Sequence, residues 1–150
     1  MLSYEGIFFE GETVELIHSL EKEKLPITND EIHCTFKYHP KDDEIFDELV
    51  GKEIEVLLIG YGCNGKNSGF EIKIPNNIMK YYINYDEENP QKLKIPHITA
   101  SLTEDSKSSD TKNLKFVRFD KPISIKGKFG YWIKDNGYEY ISYNIFKNTK

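Results

Sequence analysis

The chain has 150 residues, of which 38% are hydrophobic and 13% aromatic; that is enough for one domain to bury a core and too much for a disordered chain. Its 20 basic and 25 acidic residues give a formal charge of −5, which argues against a protein that coats long duplex nucleic acid by neutralising phosphates. Cys34 and Cys63 form neither a CxxC pair nor a disulfide framework, "MLSYEGIFFEGE" has no basic n-region, and no apolar run approaches the roughly 18 residues of a membrane helix, so the expectation is a soluble, cytoplasmic protein without a membrane partner.

Residues 3–9 read as a strand. In "GETVELIHSLEKEK" the residues Val14, Ile17 and Leu20 fall at helical spacing, with Thr13 as the expected cap and Pro26 just beyond the end. Next comes "IHCTFKY" at 32–38, and then "DDEIFDELVG", which predicts a second, shorter helix stopped by Gly51. From Glu53 to Ile74 two β-like runs flank "CNGKNS", whose Asn-Gly pair predicts a hairpin; "YWIKDNGYEYISY" repeats that signal at Asn136-Gly137. "PHITASL" occupies 96–102, and the polar "TEDSKSSDTKN" after it reads as a mobile loop. With no linker or composition break, residues 1–150 are expected to form one α+β domain, mainly antiparallel, with one or two helices packed on the sheet.

Two of the four histidines lie in the same small pattern, "IHCTF" and "PHITA". On a strand, side chains alternate between faces, so His33 and Thr35 would point one way while Ile32, Cys34 and Phe36 point the other. The second motif would likewise set His97, Thr99 and Ser101 against Ile98, Ala100 and Leu102. Each unit offers an imidazole that can exchange a proton near neutral pH and a hydroxyl that can donate to a phosphate oxygen. Facing each other across a groove, the two would suit in-line displacement at a phosphodiester. A single His-x-Thr carries little information, but two with matching apolar alternation carry more.

The pair "IHCTFKY" and "PHITASL" resembles the twin His-x-Thr signatures of the 2H phosphoesterase superfamily. That resemblance implies a two-lobed, pseudo-symmetric α+β fold with one motif per lobe, and cleavage of nucleotide phosphodiesters without a metal or other cofactor. His33 and His97 would then be general acid and base, in an order left open, while Thr35 and Thr99 hold non-bridging phosphate oxygens. The run "PHITASLTEDSKSSDTKNLKF" with "IKGKFGYW" is similar to two branches: the cyclic phosphodiesterase domain of tRNA ligases, and small bacteriophage enzymes that degrade the cyclic oligonucleotide signals of the CBASS defence. The single-domain length and the Lys-, Asn- and Ile-rich composition favour the phage type, with a cyclic oligonucleotide as partner. The alternatives are a 2′,3′-cyclic nucleotide phosphodiesterase of the RNA-repair type and a non-catalytic nucleotide sponge.

Four further residues are candidates for substrate binding: Tyr4 and Trp132 to stack on a base, and Lys37 and Ser101 because they share the histidine parity of their strands. In a chain with ten tyrosines and nine phenylalanines a given aromatic more often serves the core, and a lysine is as readily solvated. His39, followed by Pro40, and His18, in the helical run, are read as structural. Arg118 is the lone arginine, so phosphate recognition would fall to threonine, lysine and backbone donors. The absence of HExxH or paired CxxC spacing argues against a metal enzyme, and the apolar parity of Cys34 argues against a Cys-His hydrolase.

Overall fold

The computed structural model describes residues 1–82 and 95–147. In chain order the strands are β1 (Leu2–Phe8), β2 (Ile27–Thr28), β3 (His33–Tyr38), β4 (Glu53–Cys63), β5 (Asn67–Lys73), β6 (His97–Leu102), β7 (Val117–Asp135) and β8 (Tyr138–Ser142); α1 (Glu12–Leu20) follows β1 and α2 (Asn76–Met79) follows β5. Among the described residues all strand pairs are antiparallel, in the order β2-β6-β5-β4-β7-β1-β3, with β8 added to β7. The class is therefore α+β, mainly antiparallel. No helix among the described residues is long and apolar enough to cross a membrane.

The long strand β7 is the spine, since residues 117–128 run along β4, 128–133 along β1 and 131–135 along β8. Both expected hairpins form: Gly65 (φ +84°) turns β4 into β5, while Asn136 (φ +48°) and Gly137 (φ +83°) turn β7 into β8, the left-handed geometry that Asn-Gly supplies cheaply. Strand alternation then buries one face. Cys34, Phe36, Ile98 and Ala100 are sealed in the core with Ile7, Leu58, Phe70 and Phe129, each large apolar side chain contributing about 1.5–3 kcal/mol. Phe129 meets Phe36 and Tyr131 edge-on, with ring centroids 5.3 and 5.9 Å apart.

The two motif strands share a local device. Opposite Thr35 stands Gly6 and opposite Lys37 stands Glu5, so Phe36 is an unmatched extra residue. In the same way Gly69 faces Thr99 and Ser68 faces Ser101, which leaves Ala100 unmatched. A Cβ on Gly6 would lie 2.1 Å from the Cys34 carbonyl oxygen, and one on Gly69 would lie 2.4 Å from that of Ile98. Glycine is thus required at both places for the neighbouring motif to approach. Each bulge also inverts the alternation beyond it.

Three local readings are corrected. Gly11, at φ +59°, and not Thr13, caps α1, because the chain enters the helix through a conformation open to glycine; Glu12 and Glu15 then favour the first turn. "DDEIFDELVG" forms only a 3-10 turn at Asp42–Glu44, followed by further turns. The helix stays incomplete because Phe46 N–H donates to the Tyr131 hydroxyl and Gly51 N–H to the Phe129 carbonyl, leaving a single turn in which Leu49 and Val50 N–H donate to the Phe46 carbonyl. Ile45 and Leu49 are still buried, and Gly51 (φ +76°) still ends the segment. The expected mobile loop holds a 3-10 helix, Ser108–Asn113, pinned by the buried Thr111 and Asn67.

Among the described residues, one carboxylate sits in the interior without a formed hydrogen bond. Glu5 on β1 is fully buried, neither oxygen is bonded, and burial together with the charge of Glu44 pushes its pKa up to about 8. The nearby Tyr131 hydroxyl and Lys37 ammonium pull the other way and are outweighed.

Candidate functional site

The strands β3 and β6 stand near opposite ends of the sheet order, yet the sheet coils until they lie beside each other without ladder bonds. The His97 backbone comes within hydrogen-bonding reach of the Cys34 sulfur. Between the strands opens a small solvent-accessible cavity of about 40 Å³, lined from β3 by His33, Thr35 and Tyr38 and from β6 by His97 and Thr99. The 3-10 helix closes the third side with Ser108, Ser109 and Lys112. The four motif residues named from the sequence are therefore gathered in one place.

Both imidazoles are held in the same way. His33 Nδ1 lies 2.9 Å from the Glu31 carbonyl oxygen, and His97 Nδ1 lies 2.7 Å from that of Ile95, two residues back in each case. A carbonyl can only accept, so each Nδ1 carries the proton, and Nε2 is the basic nitrogen of the neutral ring. Tyr4 stacks on His33 with centroids 4.6 Å apart. Burial lowers the His33 pKa; the Glu31 hydrogen bond partly opposes this, and the charge of His97 adds to the lowering. A proton on His97 thus disfavours one on His33.

The threonines are not equivalent. Thr99 is buried; its hydroxyl donates to the Ser108 carbonyl at 3.1 Å and lies 2.7 Å from the Thr111 hydroxyl. Thr111 in turn accepts from Asn67 Nδ2, which also donates to the Lys107 carbonyl, while Ser106 donates to Asn67 Oδ1. The second motif is thereby tied to the 3-10 helix through a buried polar chain.

The other named residues lie elsewhere. Beyond the bulge at Phe36, Lys37 turns from the cavity to the side of Glu5, whose pKa it lowers. Beyond the bulge at Ala100, Ser101 is fully buried, donating to Glu21 and accepting from Leu25 N–H. Tyr4 and Trp132 stand behind His33 and not in the cavity lining: they stack on each other, interplanar angle 3°, and Trp132 Nε1 donates to Glu139. His18 donates from Nε2 to the Asn29 carbonyl and pairs through Nδ1 with Glu21, whose other oxygen accepts from Ser68 and Ser101; His39 (φ +51°) turns the chain after β3. Both therefore serve the framework.

Sequence reasoning missed Tyr38, Ser108, Ser109 and Lys112. Lys112, Ser108 and Ser109 lie in a polar segment read as a mobile loop, which gave no reason to single them out. Among the described residues no group of three or more His, Cys, Asp and Glu is placed to hold a metal ion. No family model matches the chain, and no curated protein matches it significantly.

Proposed function

We propose that this protein is a metal-independent phosphodiesterase of the 2H type, which cleaves a linkage in a cyclic oligonucleotide with His33 as general base and His97 as general acid. The observation that carries this reading is the convergence of two imidazoles from distant strands on one cavity, each with Nδ1–H tied back to a carbonyl so that Nε2 exchanges protons. Two units, β1-α1-β2-β3 and β5-α2-β6, each carry one motif with its glycine and bulge. This supports the two-lobed, pseudo-symmetric reading.

In the proposed reaction a ribose 2′-hydroxyl attacks the adjacent phosphorus and gives its proton to His33 Nε2. The 5′-oxygen leaves with a proton from His97 Nε2, and a 2′,3′-cyclic phosphate forms. The lowered pKa of His33 keeps it unprotonated for the first transfer. Thr35 donates to a non-bridging oxygen, and the Tyr38 ring offers a face for a base. In the cytoplasm of a bacterial host, such cleavage would silence a CBASS signal.

The test is incubation with cyclic di- and trinucleotides, and separately with 2′,3′-cyclic mononucleotides, in the presence of a chelator, with products identified chromatographically. Linear products from the cyclic oligonucleotides are expected, and His33→Ala and His97→Ala should each slow turnover by roughly 10²–10⁴-fold. Turnover of the mononucleotides alone would move the substrate class to RNA ends. Intact ligand that stays bound would mean a sponge, and the enzymatic reading would fall.

A further inference from the structure

The cavity holds two candidates for gripping a phosphate on the β6 side, and their chemistry separates them. The Thr99 hydroxyl has one proton, and the hydrogen-bond chain fixes where it goes. The Lys107 carbonyl, 2.8 Å away, can only accept, which identifies Asn67 Nδ2 as the amide nitrogen. That nitrogen donates to Thr111 Oγ1 at 3.1 Å. At the far end the Ser108 carbonyl, also acceptor-only, takes the Thr99 proton at 3.1 Å. Thr111 therefore gives its own proton to Thr99 across 2.7 Å. The chain runs in one direction, from Asn67 through Thr111 and Thr99 to Ser108, and every proton in it is spent. Toward an anion in the cavity Thr99 would present lone pairs.

The same 3-10 helix carries Lys112, whose exposed side chain lines the cavity and has no ion pair or hydrogen bond among the described residues. It is the lysine of the lining, in a chain of net charge −5 and beside an imidazole held neutral by burial. We propose that Lys112 is the anion-binding group on the β6 side of the site, and that Thr99 is a positioning residue that acts by fixing the 3-10 helix that carries Lys112. This refines the phosphodiesterase reading and rests on it for the identity of the anion, a nucleotide phosphate.

The experiment is a calorimetric titration with adenosine 3′-monophosphate, which holds a single phosphate and does not depend on turnover. Lys112→Gln should weaken binding about tenfold or more, as loss of a charge-assisted contact does, whereas Lys112→Arg should stay close to wild type. Thr99→Val and Thr111→Val should weaken binding to similar extents although Thr111 does not line the cavity, and Thr99→Ser should restore it. The double variant Thr99→Val/Lys112→Gln should bind no more weakly than Lys112→Gln alone, because the threonine acts through the lysine. Wild-type affinity in Lys112→Gln, or absence of binding by the wild-type chain, overturns the proposal. So do multiplying effects of Thr99→Val and Lys112→Gln with a silent Thr111→Val, which would return the phosphate contact to Thr99. A chain that binds the nucleotide through Lys112 yet hydrolyses nothing refutes the enzymatic reading alone; one that hydrolyses normally as Lys112→Gln refutes this proposal alone.

Discussion

Replacing Glu5 by glutamine should make the protein's stability much less sensitive to alkali. In the unfolded chain this carboxyl ionises near 4.5, whereas in the folded protein it keeps its proton up to about 8. Between those values the folded state holds a proton that the unfolded state lacks, so stability falls as pH rises through that window and levels off above it. At about 1.4 kcal/mol for each tenfold change in proton affinity, the ceiling on this loss is about 5 kcal/mol, reduced wherever water reaches the carboxylate. Glutamine keeps the shape and removes the titration. Urea unfolding of the wild type and Glu5→Gln at pH 5 and pH 8.5 measures the effect: the two should be close at pH 5, and the variant should be the more stable by a few kcal/mol at pH 8.5. An equal difference at both pH values would show that the buried carboxyl does not govern the slope, and the electrostatic reasoning would fail.

The proposed turnover should follow a bell-shaped pH profile, with an acid limb below the usual histidine value because His33 resists protonation; an acid limb at or above 6.5 would reject His33 as the base. Gly69→Ala would set a Cβ 2.4 Å from the Ile98 carbonyl oxygen and Gly6→Ala one 2.1 Å from that of Cys34. Each should cost about 1–3 kcal/mol in denaturant unfolding, and a loss below about 0.5 kcal/mol would mean that the strands separate freely. The Cys34 thiol, buried and pushed up to about 12, should stay unmodified by iodoacetamide in the native protein and react once it is unfolded; rapid native labelling would contradict its place in the core.

Much of the site could be read from strand parity. His33 and Thr35, and again His97 and Thr99, alternate against apolar neighbours, and one face of each strand packs into the core while the other faces the cavity. Parity fails where the ladder gains a residue. Phe36 and Ala100 give no composition signal for a bulge, because the cause lies on the partner strands, in the glycines at 6 and 69. Lys37 and Ser101 were for that reason placed on the wrong face, and Tyr38 was overlooked. Asn-Gly pairs announce their hairpins because the information is local. The "TEDSKSSDTKN" segment is polar in composition, yet it is ordered by Asn67 and Thr111, a pairing across 44 residues that no local pattern encodes.

The coiling that brings β3 beside β6 also makes the width of the cavity depend on strands far from it. No ladder bonds join these two strands, and beyond the His97–Cys34 contact the span between the imidazoles follows the twist accumulated along β5, β4, β7 and β1. A substitution at the β4–β7 seam, far from any reacting atom, could therefore widen or narrow the gap as a hinge pin sets the spread of calipers.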